Sequence, residues 1–471
     1  MIGQLSSQVV DSYVGNRGWT EIPLRDFWSI PPEQRTCIIL KAISAVHSWH
    51  YEHNPAYRYT VTARGVGEAV EDSDFPRLLR PTAQTFKSYI DILSTPFPND
   101  KPQAFLNWMA DQLSIELPRE RFAHFRKRYS SQEGLLVDFE RIFSDFRLHV
   151  LTSSGTSGRA TIMVRDQLGI DKMVESFYLS FQRFIGMEAD HRAVFIMPRK
   201  TRIAMVRMAS TSVRQVGIPE DRIHFMIPFP ALPDHVRIRA GRTYRSGWSG
   251  FLERRAYHPV MVWMNERLVN PRVVQKTVSM LKKIETSHEK LLLFGSWVHL
   301  HAVALELKRI KWELRLPRGS LVGTGGGVKE FYPVPTNQIR QDLTDVFLLE
   351  DGEPIPVRDV YGMAEGNWAA MQCSHGNYHL PPWIYAVTLD NDDHFQMNPD
   401  STGMLAFFDP FGGGTLFPSF FKTSDQVRLV QGYSASGSSW PCPCGEENAY
   451  LGKESIQRMD LMDEAGCGAQ L

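Results

Sequence analysis

The sequence predicts an α/β protein in which mixed and parallel sheets are covered by helices. From residue 148 to about 345, short apolar runs typical of strands, such as 193–197 and 290–294, alternate with amphipathic helical segments. Strands separated by helical patterns favour a mainly parallel sheet with helices on both faces. From 345 onward strand-like runs dominate, as in 382–389 and 404–408, with Gly, Asn and Asp turns between them.

The N-terminal part of the chain predicts helices. Apolar residues recur at helical spacing over 35–50 and 105–117, and clusters of Pro and Asp separate these segments. We therefore divide the chain into a mainly helical region over 1–147, an α/β core over 148–430 and a segment over 431–471 with a cysteine-rich turn and a short tail.

The composition is that of an ordinary globular protein. The chain has 471 residues, of which 43% are hydrophobic, and 52 positive side chains balance 52 negative ones. This balance provides no global field for nucleic acid or an anionic membrane. No apolar run is long enough for a membrane span, and the N-terminus lacks the pattern of a signal peptide, so we expect a cytoplasmic protein. Five cysteines, an odd number, argue against a disulfide framework.

A loop rich in small hydroxyl residues and glycine follows the first predicted strand of the core. Its residues are Ser153, Ser154, Gly155, Thr156, Ser157 and Gly158. Backbone N–H groups and hydroxyls in such a loop can surround a polyanion without steric obstruction, which predicts a phosphate site. It is not a Walker loop, because no G-K-[ST] follows. A Ser/Gly surface turn is the alternative interpretation.

Three further motifs follow in the chain. The run GTGGGVK over 323–329 leaves room for a flat ring or a ribose against bare backbone. The run DVYGMAE over 359–365 ends in a carboxylate, and a single carboxylate beside phosphates commonly binds Mg²⁺. The run KTSD over 422–425 places a carboxylate between two strands, where it could accept hydrogen bonds from a ribose. Each could instead be an ordinary turn or cap.

Together, in this order and spacing, the four motifs resemble the core motifs of the adenylate-forming enzymes. Within that superfamily the sequence resembles the acyl-protein synthetases of the bacterial luciferase fatty-acid reductase system, with the phenylacetate-CoA ligases as near relatives. The strings NPAY over 54–57 and FPRLLRPTAQTFK over 75–87 are similar to further motifs of the family. The resemblance covers about 40–90 and 148–460, so 92–147 looks like an insertion.

The resemblance implies a role for each motif. The loop from Ser153 to Gly158 would bind the β- and γ-phosphates of ATP, and Glu365 would bind Mg²⁺. The residues that would frame the adenine are Gly325, Gly326, Gly327, Tyr361 and Gly362. Asp425 would bind the ribose, and Arg458, in a segment similar to the family hinge, would join the nucleotide-binding residues. Ser157 and Arg159 depart from the commoner family residues but retain a hydroxyl and a cation.

Four residues near the C-terminal end form a candidate zinc set. Cys373 and His379 have five residues between them, and Cys442 and Cys444 follow in the run PCPCG. Three thiolates and one imidazole make a closed tetrahedral Zn²⁺ site. His375 is a competing fourth ligand. Reduced cysteines beside surface histidines are the alternative.

Cys467 lies near the end of the chain, in the run EAGCG. Acyl-protein synthetases transfer the acyl group to a cysteine of their own near the C-terminus, so the resemblance makes Cys467 a candidate catalytic nucleophile. The chain ends shortly after the hinge-like segment, which predicts a truncated or absent C-terminal domain and favours a built-in or partner acceptor over free CoA. A terminal cysteine without a role is the alternative.

The combined interpretation is ATP-dependent activation of a carboxylic acid, fatty or aromatic, as its acyl-adenylate, with transfer to a thiol acceptor. The expected cofactors are ATP, Mg²⁺ and structural Zn²⁺, and the expected partners are the acid and an acceptor protein such as a reductase or carrier. The alternatives are an acyl-CoA ligase, an amide-forming or carrier-loading synthetase, and an inactive nucleotide-binding scaffold.

Overall fold

A computed structural model describes residues 22–89, 102–129, 131–153, 161–232, 247–327, 332–432 and 440–459. The chain forms two compact units. The first unit comprises 1–176, 363–368 and 375–471, and the second comprises 177–362 and 369–374.

The first unit begins with helices, as the sequence predicts for this region. Its α-helices are Pro32–His53, Pro55–Thr62, Phe75–Leu78, Thr82–Thr85, Pro102–Asp111 and Gln132–Ile142, and its 3₁₀ turns are Leu24–Trp28, Asp72–Asp74, Arg119–His124 and Ser144–Phe146. The NPAY string is a helix start: the Asn54 side chain accepts a hydrogen bond of 2.8 Å from the Tyr57 backbone N–H, and proline occupies the next position. The Tyr57 ring is buried, and its hydroxyl lies 2.9 Å from Nδ1 of His47.

The strands of the first unit form a largely antiparallel sheet around one long strand. In spatial order these strands are Phe395–Gln396, Tyr385–Leu389, Asp400–Phe408, Phe420–Val430, Tyr450–Leu451 and Tyr378–His379. The long strand Phe420–Val430 also pairs in parallel with Arg80–Pro81 and antiparallel with Gln457–Arg458. This arrangement brings segments from the beginning and the end of the chain to the KTSD motif.

A separate two-stranded hairpin carries the hydroxyl-glycine loop. The strands His149–Thr152 and Ile162–Arg165 pair antiparallel, and both lie almost wholly in the core. The loop is therefore the connection between two buried strands, which fixes both of its ends.

The second unit contains the parallel sheet that the sequence predicts. Its strand order is Ile223–Ile227, Arg192–Pro198, Leu291–Gly295, Leu321–Gly325 and Val357–Gly362, all parallel, followed by the antiparallel strand Ala369–Gln372. A second small sheet pairs Leu314–Leu316 in parallel with Phe347–Leu349. The α/β fold class is thus confirmed.

Helices with one apolar face cover this sheet. They are Gln167–Ile185, whose residues from 177 onward belong to this unit, Ala204–Gln215, Asn270–Thr286, Trp297–Arg309 and Thr336–Thr344. A 3₁₀ turn spans Glu220–Arg222, and alternating α and π turns span Gly247–Leu252, Glu253–Tyr257, His258–Met264 and Asn265–Val269. The core contains the inner faces of these helices and the central strands, for example Leu281, Leu293 and Leu300. Among the described residues, no helix is long and apolar enough to cross a membrane.

Candidate active site

The base of the hydroxyl-glycine loop is closed by two residues, Ser153 and Thr161. The Ser153 backbone N–H donates to the Thr161 carbonyl at 3.1 Å, and the Thr161 N–H donates to Ser153 Oγ at 2.9 Å. Ser154, Gly155, Thr156, Ser157 and Gly158 lie outside the described residues. The geometry therefore defines where the predicted phosphate loop begins and ends.

Glu365 lies against this loop base. Its carboxylate is 5% exposed, and Oε1 accepts a hydrogen bond of 2.6 Å from the Thr161 hydroxyl. A hydrogen bond to a charged group of this length is among the stronger ones in proteins. The structure thus brings together, within the first unit, the end of the loop predicted to bind phosphate and the carboxylate predicted to bind Mg²⁺.

A buried arginine supports the backbone at Glu365. Nη2 of Arg165 donates to the carbonyls of Ala364 and Glu365, each at 3.2 Å. The guanidinium carbon lies 4.6 Å from the centroid of the Phe417 ring, and the side chain is fully buried. Burial lowers the pKa of Arg165 to about 10, so the side chain remains a cation at neutral pH. Arg165 follows the loop on the same hairpin, so one element contacts both the side chain and the main chain of Glu365.

Asp409 is a buried carboxylate whose charge interacts with that of Arg165. It is fully buried, and Oδ2 accepts from the Asn367 backbone N–H at 3.1 Å. Burial raises the pKa of Asp409 to about 6, while the Asn367 N–H and the positive charge of Arg165 partly offset that rise. Within the described part of the chain, its Oδ1 has no hydrogen-bond partner. The first unit therefore buries both the Arg165 guanidinium and the Asp409 carboxyl, whose opposite charges attract each other.

Three residues of this site, Arg165, Asn367 and Asp409, were not predicted from the sequence. The available signal was the run DPFGGGT over 409–415, in which a carboxylate and three glycines interrupt an apolar region. A β-carbon at Gly412 would overlap the Asp409 carboxylate, and one at Gly413 would overlap the Phe417 carbonyl. These glycines are needed for close backbone approach around the buried pair.

The KTSD motif places Asp425 beside Arg458. The two residues face each other across the antiparallel pairing of Phe420–Val430 with Gln457–Arg458, and Arg458 Nε lies 3.9 Å from Asp425 Oδ1. The Asp425 N–H donates to Thr423 Oγ1 at 3.1 Å. Both residues lie within the continuous strand Phe420–Val430, so the prediction that KTSD separates two strands is wrong. Two residues that the sequence predicts to bind the nucleotide are thus neighbours.

In the second unit, the glycine segment and the Tyr-Gly pair lie at the ends of adjacent parallel strands. Gly325 ends the strand Leu321–Gly325 and is the register partner of Val360, directly before Tyr361 and Gly362. Gly326 and Gly327 have φ of 79° and 63°, a conformation that strongly favours glycine. Open α/β sheets bind ligands at the carboxyl ends of their strands. The predicted adenine-binding residues therefore occupy one edge of this sheet.

Three of the four predicted zinc ligands meet in the first unit. The ligand atoms of His379, Cys442 and Cys444 lie within 4.8 Å of one another, and Cys444 Sγ is 3.3 Å from His379 Nε2. The ligands of a tetrahedral zinc ion are about 3.5–3.8 Å apart, given bonds of about 2.3 Å to sulfur and about 2.1 Å to nitrogen. Asn377 Nδ2 donates to Cys442 Sγ at 3.2 Å, which is the kind of contact that stabilises a thiolate.

The remaining candidates differ in their placement. Cys373 belongs to the second unit, and as the fourth ligand it stays a prediction. His375, the competing ligand, is exposed.

Burial lowers the pKa of His379 to about 4, which favours the neutral, metal-binding imidazole. Gly445, with φ of 90°, closes the turn between the Cys442 carbonyl and its own N–H. Cys467 lies outside the described residues.

Comparisons with known proteins identify relatives of the chain. A family described as acyl-protein synthetase, LuxE, matches residues 257–471. A long-chain-fatty-acid–luciferin-component ligase of Vibrio harveyi is 20% identical over 401 residues, which are 84% of this chain and 80% of that protein. The protein of the same name from Aliivibrio fischeri is 27% identical over 201 residues, covering 42% of this chain and 49% of that protein.

Solved structures provide an independent comparison of the fold. One is 2-hydroxyisobutyryl-CoA ligase in complex with 2-HIB-AMP and CoA, in its thioesterification state, with a TM-score of 0.53 and 14% sequence identity. The match covers 91% of this chain and 69% of the ligase. Its open conformation has a TM-score of 0.51 at the same identity and covers 88% of this chain and 72% of that one. The resemblance predicted from the four motifs is confirmed. The chain is similar to the acyl-protein synthetase family over 257–471 and to the long-chain-fatty-acid–luciferin-component ligases, and its fold is that of the adenylate-forming ligases.

Proposed function

We propose that the protein uses ATP to activate a carboxylic acid, fatty or aromatic, as an acyl-adenylate and then transfers the acyl group to a thiol. The observation that carries this proposal is the hydrogen bond from Thr161 at the loop base to the Glu365 carboxylate. It joins the loop that is predicted to bind phosphate to the carboxylate that is predicted to bind Mg²⁺, within one compact unit. The relatives named as long-chain fatty acid ligases support a fatty acid as the substrate.

In the first step a carboxylate oxygen of the acid attacks the α-phosphorus of ATP, and pyrophosphate leaves. This step needs no general base, because the attacking group is already an anion. Charge neutralisation and positioning supply the catalysis. The loop from Ser153 to Gly158 donates hydrogen bonds to the β- and γ-phosphates, and Glu365 binds Mg²⁺. When bound, Mg²⁺ offsets the phosphate charge that builds up on the leaving group.

For the nucleoside, each motif residue has its own proposed role. Gly325, Gly326 and Gly327 provide bare backbone for the adenine ring, and Tyr361 provides an aromatic face. Asp425 accepts hydrogen bonds from the ribose hydroxyls, and Arg458 lies close enough to position that carboxylate. The ion pair itself contributes little stability because Arg458 is 40% exposed.

Arg165 and Asp409 act as positioning residues in this proposal. Arg165 fixes the two carbonyls at 364 and 365, and so it limits the positions open to the Glu365 side chain. Asp409 compensates the buried guanidinium charge and holds the Asn367 N–H two residues beyond Glu365. A carboxylate whose main chain is fixed in this way loses little conformational entropy when it binds a metal ion.

In the second step a thiolate attacks the acyl carbon of the adenylate. A C–S bond forms, the bond from the acyl carbon to the phosphate oxygen breaks, and AMP leaves. The proposed acceptor is Cys467, after which the acyl group passes to a reductase or carrier. The family description, acyl-protein synthetase, supports a protein acceptor over free CoA or an amine. We place this activity in the cytoplasm.

We also propose a structural zinc ion bound by His379, Cys442, Cys444 and Cys373. The support is the approach of an imidazole and two thiols at distances close to the edges of a zinc tetrahedron. The ion would stabilise the turn over 442–446 next to the strand Tyr450–Leu451. Its contribution is to folding, since a site with four protein ligands leaves no open position for substrate.

Replacing Glu365 with Gln should abolish adenylation. The amide oxygen can still accept the Thr161 hydrogen bond, but the charge that binds Mg²⁺ is lost, so carboxylate-dependent ATP–pyrophosphate exchange should fall roughly 100-fold or more. The control is Glu116→Gln, at an exposed glutamate of the same unit. Unchanged exchange in a folded Glu365→Gln protein would contradict the proposed role.

Replacing Asp409 with Asn should flatten the pH dependence of stability. The folded-state pKa of about 6 lies above the unfolded value of about 3.9, so the folded state holds its proton more tightly. Protonation of Asp409 therefore stabilises the folded state. The free energy of unfolding falls as pH rises from about 4 to about 6, by up to roughly 3 kcal/mol. Urea unfolding at several pH values measures this decline.

Asp409→Asn cannot ionise, so its urea midpoint should decline less over that pH range than the wild-type midpoint does. Asp392→Asn, at an exposed aspartate, serves as the control and should follow the wild type. Parallel curves for wild type and Asp409→Asn would show that this carboxyl has the same pKa in the folded and unfolded states.

The zinc proposal predicts about one zinc ion per chain in protein purified without chelator. Cys442→Ser should lose most of the metal and melt at a lower temperature, because a structural metal contributes folding free energy. Cys37→Ser, at an exposed cysteine, should keep both the zinc and the melting temperature. A metal-free wild type that is stable rules the site out.

The acceptor proposal predicts a thioester on Cys467. With labelled acid and ATP the wild type should acquire a label that hydroxylamine releases, and more quickly as pH approaches the thiol pKa of about 8.5. Cys467→Ser should still catalyse pyrophosphate exchange but lose the label, whereas Cys37→Ser should retain it. Equal labelling of wild type and Cys467→Ser would move the acceptor to another group.

A further inference from the structure

A helical stretch of the second unit exposes an unusual amount of apolar surface. Eight of the fifteen exposed large apolar residues found in the described part of the chain fall between 248 and 268. Trp248 is 73% exposed and Trp263 is 55% exposed. We call these eight residues the aromatic helix face: Trp248, Phe251, Leu252, Tyr257, Val260, Trp263, Met264 and Leu268.

The aromatic helix face belongs to a helix that is packed in its second half. Asn270–Thr286 buries Val273, Val278, Leu281 and Ile284 in the core of the second unit. The preceding α and π turns, from Gly247 to Val269, continue into this helix but leave the eight residues of the aromatic helix face exposed. The helix is therefore anchored at one end and presents an apolar surface along the other.

Two aromatic rings of the aromatic helix face stack on each other. The rings of Trp248 and Phe251 stack with their centroids 5.3 Å apart. Trp263 lies fifteen residues further along, which corresponds to about 22 Å of helix. Tryptophan is enriched where a protein meets the boundary between lipid headgroups and acyl chains, because its ring is apolar and its N–H is polar.

The charge around this face is positive. Among the described side chains from 247 to 272, the exposed charged residues are Arg255, Arg267 and Arg272 against Glu266. In a chain with no net charge, this local excess favours an anionic partner.

We propose that the aromatic helix face docks on an anionic lipid surface. A helix that exposes Trp, Phe and Leu, with arginines among them in the sequence, can lie in the plane of the interface, its apolar side chains among the acyl chains and its arginines at the headgroups. Such a helix lies on the bilayer and does not cross it. The inference does not depend on the proposed adenylation chemistry.

Vesicle co-sedimentation of the full-length protein tests this directly. The probe is vesicles of equal parts phosphatidylglycerol and phosphatidylcholine, compared with vesicles of phosphatidylcholine alone. The wild type should bind the anionic vesicles and bind the neutral ones at least about fivefold more weakly, since each arginine near an anionic surface contributes about 1 kcal/mol. Added salt should weaken the binding.

Two sets of variants locate the surface. Trp248→Ala with Trp263→Ala should reduce partitioning at least about tenfold, because both rings lose their burial in lipid. Arg255→Gln with Arg267→Gln should reduce binding to anionic vesicles only. Tyr59→Ala, which removes a 79% exposed ring in the first unit, is the control and should bind as the wild type does. Circular dichroism checks that each variant is folded.

Three results would overturn the proposal. They are no binding of the wild type to the anionic vesicles, equal binding by the double tryptophan variant, and equal loss of binding in Tyr59→Ala. A change in the molecular mass measured by light scattering when Trp248 and Trp263 are replaced would also contradict it. That result would assign the aromatic helix face to contact between copies of this chain.

Discussion

The hydrogen bond between Thr161 and Glu365 joins parts of the chain 204 residues apart, and the first unit is organised around it. A carboxylate buried to this extent must have strong hydrogen-bond partners, because desolvation of an unpaired charge is costly. Thr161 at the end of the loop supplies one, and Arg165, four residues later on the same hairpin, fixes the carbonyls at 364 and 365. The short hairpin thereby determines the position of the predicted metal ligand, and Asp409 compensates the charge that makes this possible.

The second unit contributes through the geometry of parallel strands. The strand Val357–Gly362 lies beside Leu321–Gly325 in register, so the Tyr361 segment and the glycine triplet reach the same edge of the sheet. Gly323 shows how tightly that strand is packed, since a β-carbon there would overlap the Phe294 ring, which stacks on Phe195 with centroids 5.1 Å apart. Glycine at 323 is therefore required by packing, and glycine at 326 and 327 by backbone conformation.

Local patterns predicted the features that depend on neighbours in sequence. Alternation of apolar runs and helical segments predicted the parallel sheet, and residue spacing predicted that His379, Cys442 and Cys444 would meet. Arg165 and Asp409 could not be recognised, because the partners that bury them lie up to about 250 residues away and an arginine at the end of a strand is usually exposed. The aromatic helix face was missed for a related reason: apolar residues at helical spacing usually indicate a core-facing helix. The balanced total charge also concealed the arginines beside it.

Oxygen isotope transfer distinguishes carboxylate adenylation from every other use of ATP by this fold. The acid is labelled with oxygen-18 in its carboxylate and incubated with protein, ATP, Mg²⁺ and hydroxylamine, which accepts the acyl group. If a carboxylate oxygen attacks the α-phosphorus, the later break at the acyl carbon leaves that oxygen on the phosphate, and mass spectrometry should find AMP with one labelled oxygen per acyl group transferred. Release of ADP, or of AMP without the label, would contradict activation of the acid as an adenylate.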